Sequence, residues 1–114
     1  MSRRTSGGAV HWVDEAPLFA ALGDRTRLRL VTRLCTEGPL SIAQLHAGTE
    51  VTRQAITKHL MALADVGVLR SERRGRECLW RLEPRRLDEA RRCLERISQQ
   101  WDSALDRLRA FVEE

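Results

Sequence analysis

Between residues 84 and 112, Leu87, Ala90, Leu94, Ile97, Trp101, Ala104, Leu108 and Phe111 return at alternating intervals of 3 and 4 without a break. This is a heptad seam about four repeats long, broadened by Leu105 and Val112. It predicts one helix roughly 40 Å long. A chain of 114 residues makes one small domain, too small to cover such a stripe along its full length. Part of the seam is therefore expected to pack on another chain, most simply a second copy.

The segment 52–63, TRQAITKHLMAL, predicts a shorter helix with two unlike faces. Ile56, Leu60 and Leu63 recur at helical spacing on one face. Arg53, Gln54, Thr57 and Lys58 fall on the other, near the amino end. These residue types hydrogen-bond base edges and phosphates. Thr52 is an N-cap, Val51 can staple onto Ile56, and Gly67 stops the helix. A short helix precedes it. Ser41 and Gln44 form a capping box there, and Leu40 can staple onto Leu45. A short capped helix, a tight turn and a second capped helix with a polar amino-terminal face make a helix-turn-helix pattern. The caps Ser41 and Thr52 leave room for about two helical turns plus the turn, which suits the motif.

Two more helices lie upstream. Residues 17–22 are apolar, with Pro17 in the first turn and Gly23 at the end. Asp24 then caps RTRLRLVTRLCTE, whose expected buried stripe is Leu28, Val31, Leu34 and Cys35, widened by Leu30. Arg25, Arg27, Arg29 and Arg33 lie outside that stripe, and Gly38–Pro39 ends the helix. Residues 1–13, rich in Ser and Gly with Arg3 and Arg4, read as a flexible arm. Trp12 is its one residue expected to dock on the body.

Downstream of the helix pair, residues 68–73 and 77–82 read as strands around Arg74–Gly75. On the second, Cys78, Trp80 and Leu82 alternate with Glu77, Leu79 and Arg81, and Cys78 reads as a packing residue. Arg73, Arg74 and Arg76 crowd the tip. A basic hairpin directly after a recognition-type helix is the pattern of a winged helix. The predicted architecture is mainly α with a two-stranded β wing, in the order α-α-α-α-β-β-α. Residues 14–112 form the domain, and 84–112 its dimerisation helix.

Charge agrees with a polyanionic partner. The net charge is only +4, but 19 of 20 basic residues are arginine, Lys58 being the single lysine. Arg suits phosphate by its fork geometry. Three cysteines at irregular spacing make no disulfide framework, which fits a reducing cytoplasm. No signal peptide or membrane span is read. Glycine-rich phosphate loops, histidine pairs at helical spacing and nucleophile–base pairs are all missing, so an enzyme is not expected.

The chain resembles the ArsR/SmtB family of dimeric winged-helix repressors. The resemblance lies in GDRTRLRLVTRL, LSIAQL, TRQAITKHLMALADVGVL and RSERRGRECLWRLEP, and covers residues 16–111. It implies a homodimer paired mainly through the first and last helices. Leu18, Phe19, Leu87, Leu94, Ile97, Trp101, Leu105 and Leu108 would then line the interface. It also implies double-stranded DNA as partner, with the recognition helix in the major groove and the wings on the flanks. Thr52, Arg53, Gln54 and Thr57 would read bases. Lys58, His59, Arg73, Arg74 and Arg76 would hold phosphate or the minor groove, and Ser41 would set its helix terminus against a phosphate.

The family's metal sensors often carry Cys-x-Cys at the start of the third helix, where this chain has Ser41 and Ala43. Others use ligands on the last helix, yet no histidine follows His59. The resemblance is thus to a subgroup without the usual metal-binding motifs, and no metal or cofactor is expected. The expected function is a cytoplasmic, homodimeric repressor on a near-palindromic operator, with no effector legible. Two alternatives stand beside it. One is a thiol-responsive repressor using Cys35 and Cys93, which superficially resemble a pair found in some relatives. The other is a protein–protein adaptor built on the heptad helix.

Overall fold

The computed structural model describes residues 12–113, with side chains from residue 14. A 3-10 turn, Trp12–Glu15, leads into α1 (Ala16–Leu22). The backbone of residues 12 and 13 thus belongs to the body rather than to the expected arm. Residues 1–11 and the docking of the Trp12 side chain lie outside the described residues.

Local chemistry sets most element boundaries. Asp24 caps α2 (Arg25–Glu37) by accepting the Arg27 backbone N–H at 3.0 Å, which holds its carboxyl below the usual range. The capping box opens α3 (Ile42–His46). Ser41 Oγ accepts the Gln44 N–H at 3.2 Å, and Gln44 Oε1 accepts the Ser41 N–H at 2.8 Å. Thr52 Oγ1 accepts the Ala55 N–H at 3.1 Å and starts α4 (Arg53–Asp65). Gly67, at φ +85°, ends it. Its N–H donates to Ala64 O at 2.9 Å and the Val68 N–H donates to Leu63 O at 3.0 Å, the paired bonds of a Schellman motif.

The wing hairpin follows as β2 (Leu69–Arg74) and β3 (Glu77–Leu82). Its loop is Gly75–Arg76, with Gly75 at φ +61° in the first central place, where a type II′ turn requires glycine. The expected two-stranded wing gains a third strand. Leu40–Ser41, here β1, pairs antiparallel with β3, so the sheet order is β1-β3-β2. Central β3 is covered on both faces near its base. Trp80 and Leu82 pack on the core, while Leu79, flanked by Ser41 and Glu72, is also buried. Cys78 lies toward the tip and is exposed, so it does not pack as expected.

The core joins α1, α2, α3, α4 and the sheet through Leu18, Leu30, Leu34, Leu40, Leu45, Ile56, Leu60, Leu63, Val68 and Leu69. Two parts of the expected α2 stripe are corrected. Leu28 and Cys35 are exposed, because α2 is rotated to present Leu30 and Leu34 inward, with Val31 half-buried beside them. Leu18 is corrected as an interface residue. It is 0% exposed within the protomer's own core and has no surface left for a partner. Phe19 and Leu87 are half-buried against the same core.

The last element, α5 (Pro84–Glu113), has 30 residues and is about 45 Å long. Ala90 and Cys93 are buried near its start, whereas the seam from Leu94 onward is largely open. The radius of gyration is 18.1 Å. A compact chain of this size would have about 13 Å, so the helix projects from the body.

Candidate nucleic-acid interface

The amino end of α4 and the wing form the candidate site. Thr52, Arg53, Gln54 and Lys58 are exposed. Among the described residues no carboxylate pairs with Arg53, Lys58, Arg73 or Arg76. A cation with no internal partner is free to meet phosphate. The inner face of α4 is Ile56, Leu60 and Leu63, all fully buried, so the roll of the helix is fixed and its polar face is held outward.

The other expected site residues are engaged within the fold to different degrees. Thr52 Oγ1 is the cap of α4 and still lies at the surface. Thr57 donates its hydroxyl to Arg53 O at 3.0 Å, leaving its oxygen as acceptor and its methyl as contact surface. Arg74 is bonded to Glu72 at 3.2 Å, and Arg81 reaches the same carboxylate at 2.9 Å. Together, Arg74 first, they hold Glu72 below the usual carboxylate range. Ser41 is committed to the capping box and to pairing with Leu79, which makes it a holder of α3. His59 is half-buried and set apart from the exposed group. Its Nδ1 lies 3.2 Å from Arg27 Nη1 and 3.9 Å from Asp24 Oδ2.

Two arginines that the pattern of the chain does not single out organise the site's surroundings. Arg27 ties α2 to α4 through His59, and its Nε donates to Ala21 O at 2.6 Å. Arg86 of α5 donates through Nε to Val66 O, the C-cap carbonyl of α4, at 2.7 Å, and pairs with Glu15 and Glu89, each at 2.9 Å. Both sit in arginine-rich runs, where periodicity gives no sign of which guanidinium turns inward.

The thiols do not converge. Cys35 and Cys78 are exposed, while Cys93 is 1% exposed. Burial, then the nearby Glu15 charge, pushes the Cys93 thiol up and disfavours the reactive thiolate. Among the described residues no three His, Cys, Asp or Glu side chains gather as a metal would require. No helix among them is long and apolar enough to cross a membrane.

A capped helix pair, an outward basic face and a basic hairpin beside it define a winged helix-turn-helix DNA-binding domain. A family model described as a helix-turn-helix domain matches residues 22–72. An ArsR-like transcriptional regulator from Rhodococcus sp. RHA1 superposes with a TM-score of 0.73 at 38% identity, covering 85% of this chain and 91% of that one. The arsenical resistance operon repressor of Escherichia coli is 32% identical over 67% of this chain and 71% of its own length. The arsenic resistance regulator ArsR1 of Pseudomonas putida is 31% identical over 72% of this chain, and the match spans 65% of that protein. The chain belongs to the ArsR family of winged helix-turn-helix regulators. It is a DNA-binding transcriptional regulator and not an enzyme.

Proposed function

We propose that the protein is a cytoplasmic repressor acting as a homodimer on a near-palindromic operator. Its two α4 helices enter successive major grooves, and its wings lie over the flanks. Gln54, Arg53, Thr52 and Thr57 read base edges. Lys58, Arg73, Arg76 and, less strongly, Arg74 hold the backbone. The supporting observation is that the polar end of α4 and the tip of the wing are open and carry unpaired cations, while the apolar face of α4 is wholly buried.

The dimer reading rests on α5. Leu94, Trp101, Leu105, Leu108, Phe111 and Val112 are exposed in one continuous stripe, an apolar surface a second copy would cover. With Leu18 inside the protomer core, the expected interface reduces to the α5 seam, with Phe19 and Leu87 at its edge. The test pairs light scattering with binding to a duplex selected from a random pool. The expected result is a dimer at micromolar concentration, bound to half-sites about one DNA turn apart, with affinity falling steeply in salt. A well-folded monomer, or binding insensitive to salt, would overturn the reading.

A further inference from the structure

His59 belongs to the polar run of α4, yet its partners lie inside the fold. Arg27 Nη1 is 3.2 Å from His59 Nδ1, and the same guanidinium holds the Ala21 carbonyl near the end of α1. Asp24, the α2 cap, lies 3.9 Å from the same ring nitrogen. The other elements packed on α4 bring few charges. α1 has no ionisable side chain, and α3 has only His46. β2 carries Arg70, Glu72, Arg73 and Arg74, the first paired with Glu83 and the second with Arg74 and Arg81. On α4 itself the charged groups are Arg53, Lys58 and Asp65.

A guanidinium has only N–H donors. The Arg27–His59 contact is therefore a hydrogen bond only while Nδ1 keeps its lone pair and the ring proton sits on Nε2. We propose that the Arg27–His59 pair is a positioning device for the DNA-reading helix. The contact ties α4 to the α1–α2 corner and fixes the presentation of its polar face. The inference rests on the reading of α4 as the helix that reads bases.

The quantity to measure is operator preference, the ratio of affinity for the selected duplex to affinity for random duplex. His59→Asn places an amide oxygen near the position of Nδ1 and should keep this ratio near the wild-type value. His59→Leu and Arg27→Met should each lower it about tenfold, the order of one lost hydrogen bond to a charged group. The double variant should be no worse than either alone, because both remove one interaction.

Arg27→Met keeping the wild-type ratio would overturn the proposal. So would His59→Asn losing as much preference as His59→Leu. If His59→Leu fails to fold, the comparison of wild type with His59→Asn and Arg27→Met decides alone. Gln54→Ala, measured in parallel, separates the two readings. If it leaves operator preference intact, the base-reading role of α4 is at fault. If it lowers the preference while the His59 and Arg27 variants do not, the positioning role is at fault.

Discussion

α4 and α5 carry apolar stripes of the same period and meet opposite fates. In α4, Ile56, Leu60 and Leu63 are wholly enclosed. In α5, Ala90 is buried and Leu87 half-buried, but Trp101 is 66% exposed and Phe111 78%. The difference does not lie in the residues, since Trp and Phe carry as much apolar surface as Leu and Ile. It lies in what stands opposite. α4 packs against α1, α2, α3 and β2, whereas α5 meets the 3-10 turn and the edge of the core only through its first turns. An apolar period marks a face that must be covered. Whether the protomer or a partner covers it depends on the length of the helix against the size of the body.

Two substitutions test that contrast directly. Leu60→Ala should cost about 2–5 kcal/mol of protomer stability by leaving a cavity, and the loss should appear in melting at every protein concentration. Trp101→Glu should leave the core intact and act on association. It sets a charge into an apolar contact at a cost of roughly 3 kcal/mol, which weakens the dimer about a hundredfold. Sedimentation across a dilution series checks it. If Trp101→Glu lowers melting as much as Leu60→Ala at all concentrations, the α5 stripe belongs to a protomer core and the contrast fails.

The parts of the fold legible in the sequence are those fixed by near neighbours. The caps at Asp24, Ser41 and Thr52, the stop at Gly67 and the hairpin around Gly75 each depend on a few adjacent residues, and each is present in the structure. The burial of the α4 stripe was legible too, because its period leaves one choice of face. What was not legible depends on distant partners. α2 has apolar residues on two adjoining edges, and only its packing against α1, α4 and β3 decides that Leu30 goes inside and Leu28 outside. β1 exists because the free edge of β3 lies beside Leu40 and Ser41. In the site, exposed Arg53 and Gln54 followed from helical phase. The inward turn of His59 did not, since its partner Arg27 is 32 residues away.

Smaller effects separate the outward faces. Gln54 lies exposed and early on a helix whose roll is fixed by a buried face, and under the proposed reading it meets base edges. Gln54→Ala should cost roughly 1–3 kcal/mol per contact on the operator and little on random duplex. Arg76 sits in the hairpin loop with no partner carboxylate among the described residues. Arg76→Ala should weaken both duplexes alike and lower the salt slope by about one per phosphate contact, doubled by dimer symmetry. Arg74→Ala should do less, because that guanidinium is shared with Glu72. Affinity against salt for each variant on both duplexes tests the set. If Gln54→Ala weakens both equally while Arg76→Ala loses only operator binding, the two roles are reversed.

The smallest expected effect concerns metals. Relatives of this chain bear arsenic resistance in their names, and the uncovered part of α5 is a natural place for an ion to act on a dimer. That stretch, from Leu94 to Glu113, contains no His and no Cys. Zinc, nickel and arsenite need convergent imidazole or thiolate donors. Of the three thiols, Cys93 is enclosed on the inner side of α5, while Cys35 lies on α2 and Cys78 on the wing. Operator affinity should therefore stay within about threefold when any of these metals, or a chelator, is added, a coupling below roughly 1 kcal/mol. The measurement is a titration of labelled operator duplex under reducing conditions with each addition. A loss of about tenfold, or about 1.4 kcal/mol of coupling, would show a thiolate site assembled from Cys35, Cys78 or Cys93. Serine substitutions, one cysteine at a time, would then locate it. If Cys93→Ser alone removed the response, the inner side of α5 opens in solution, and the contrast between its covered start and uncovered end would no longer be fixed.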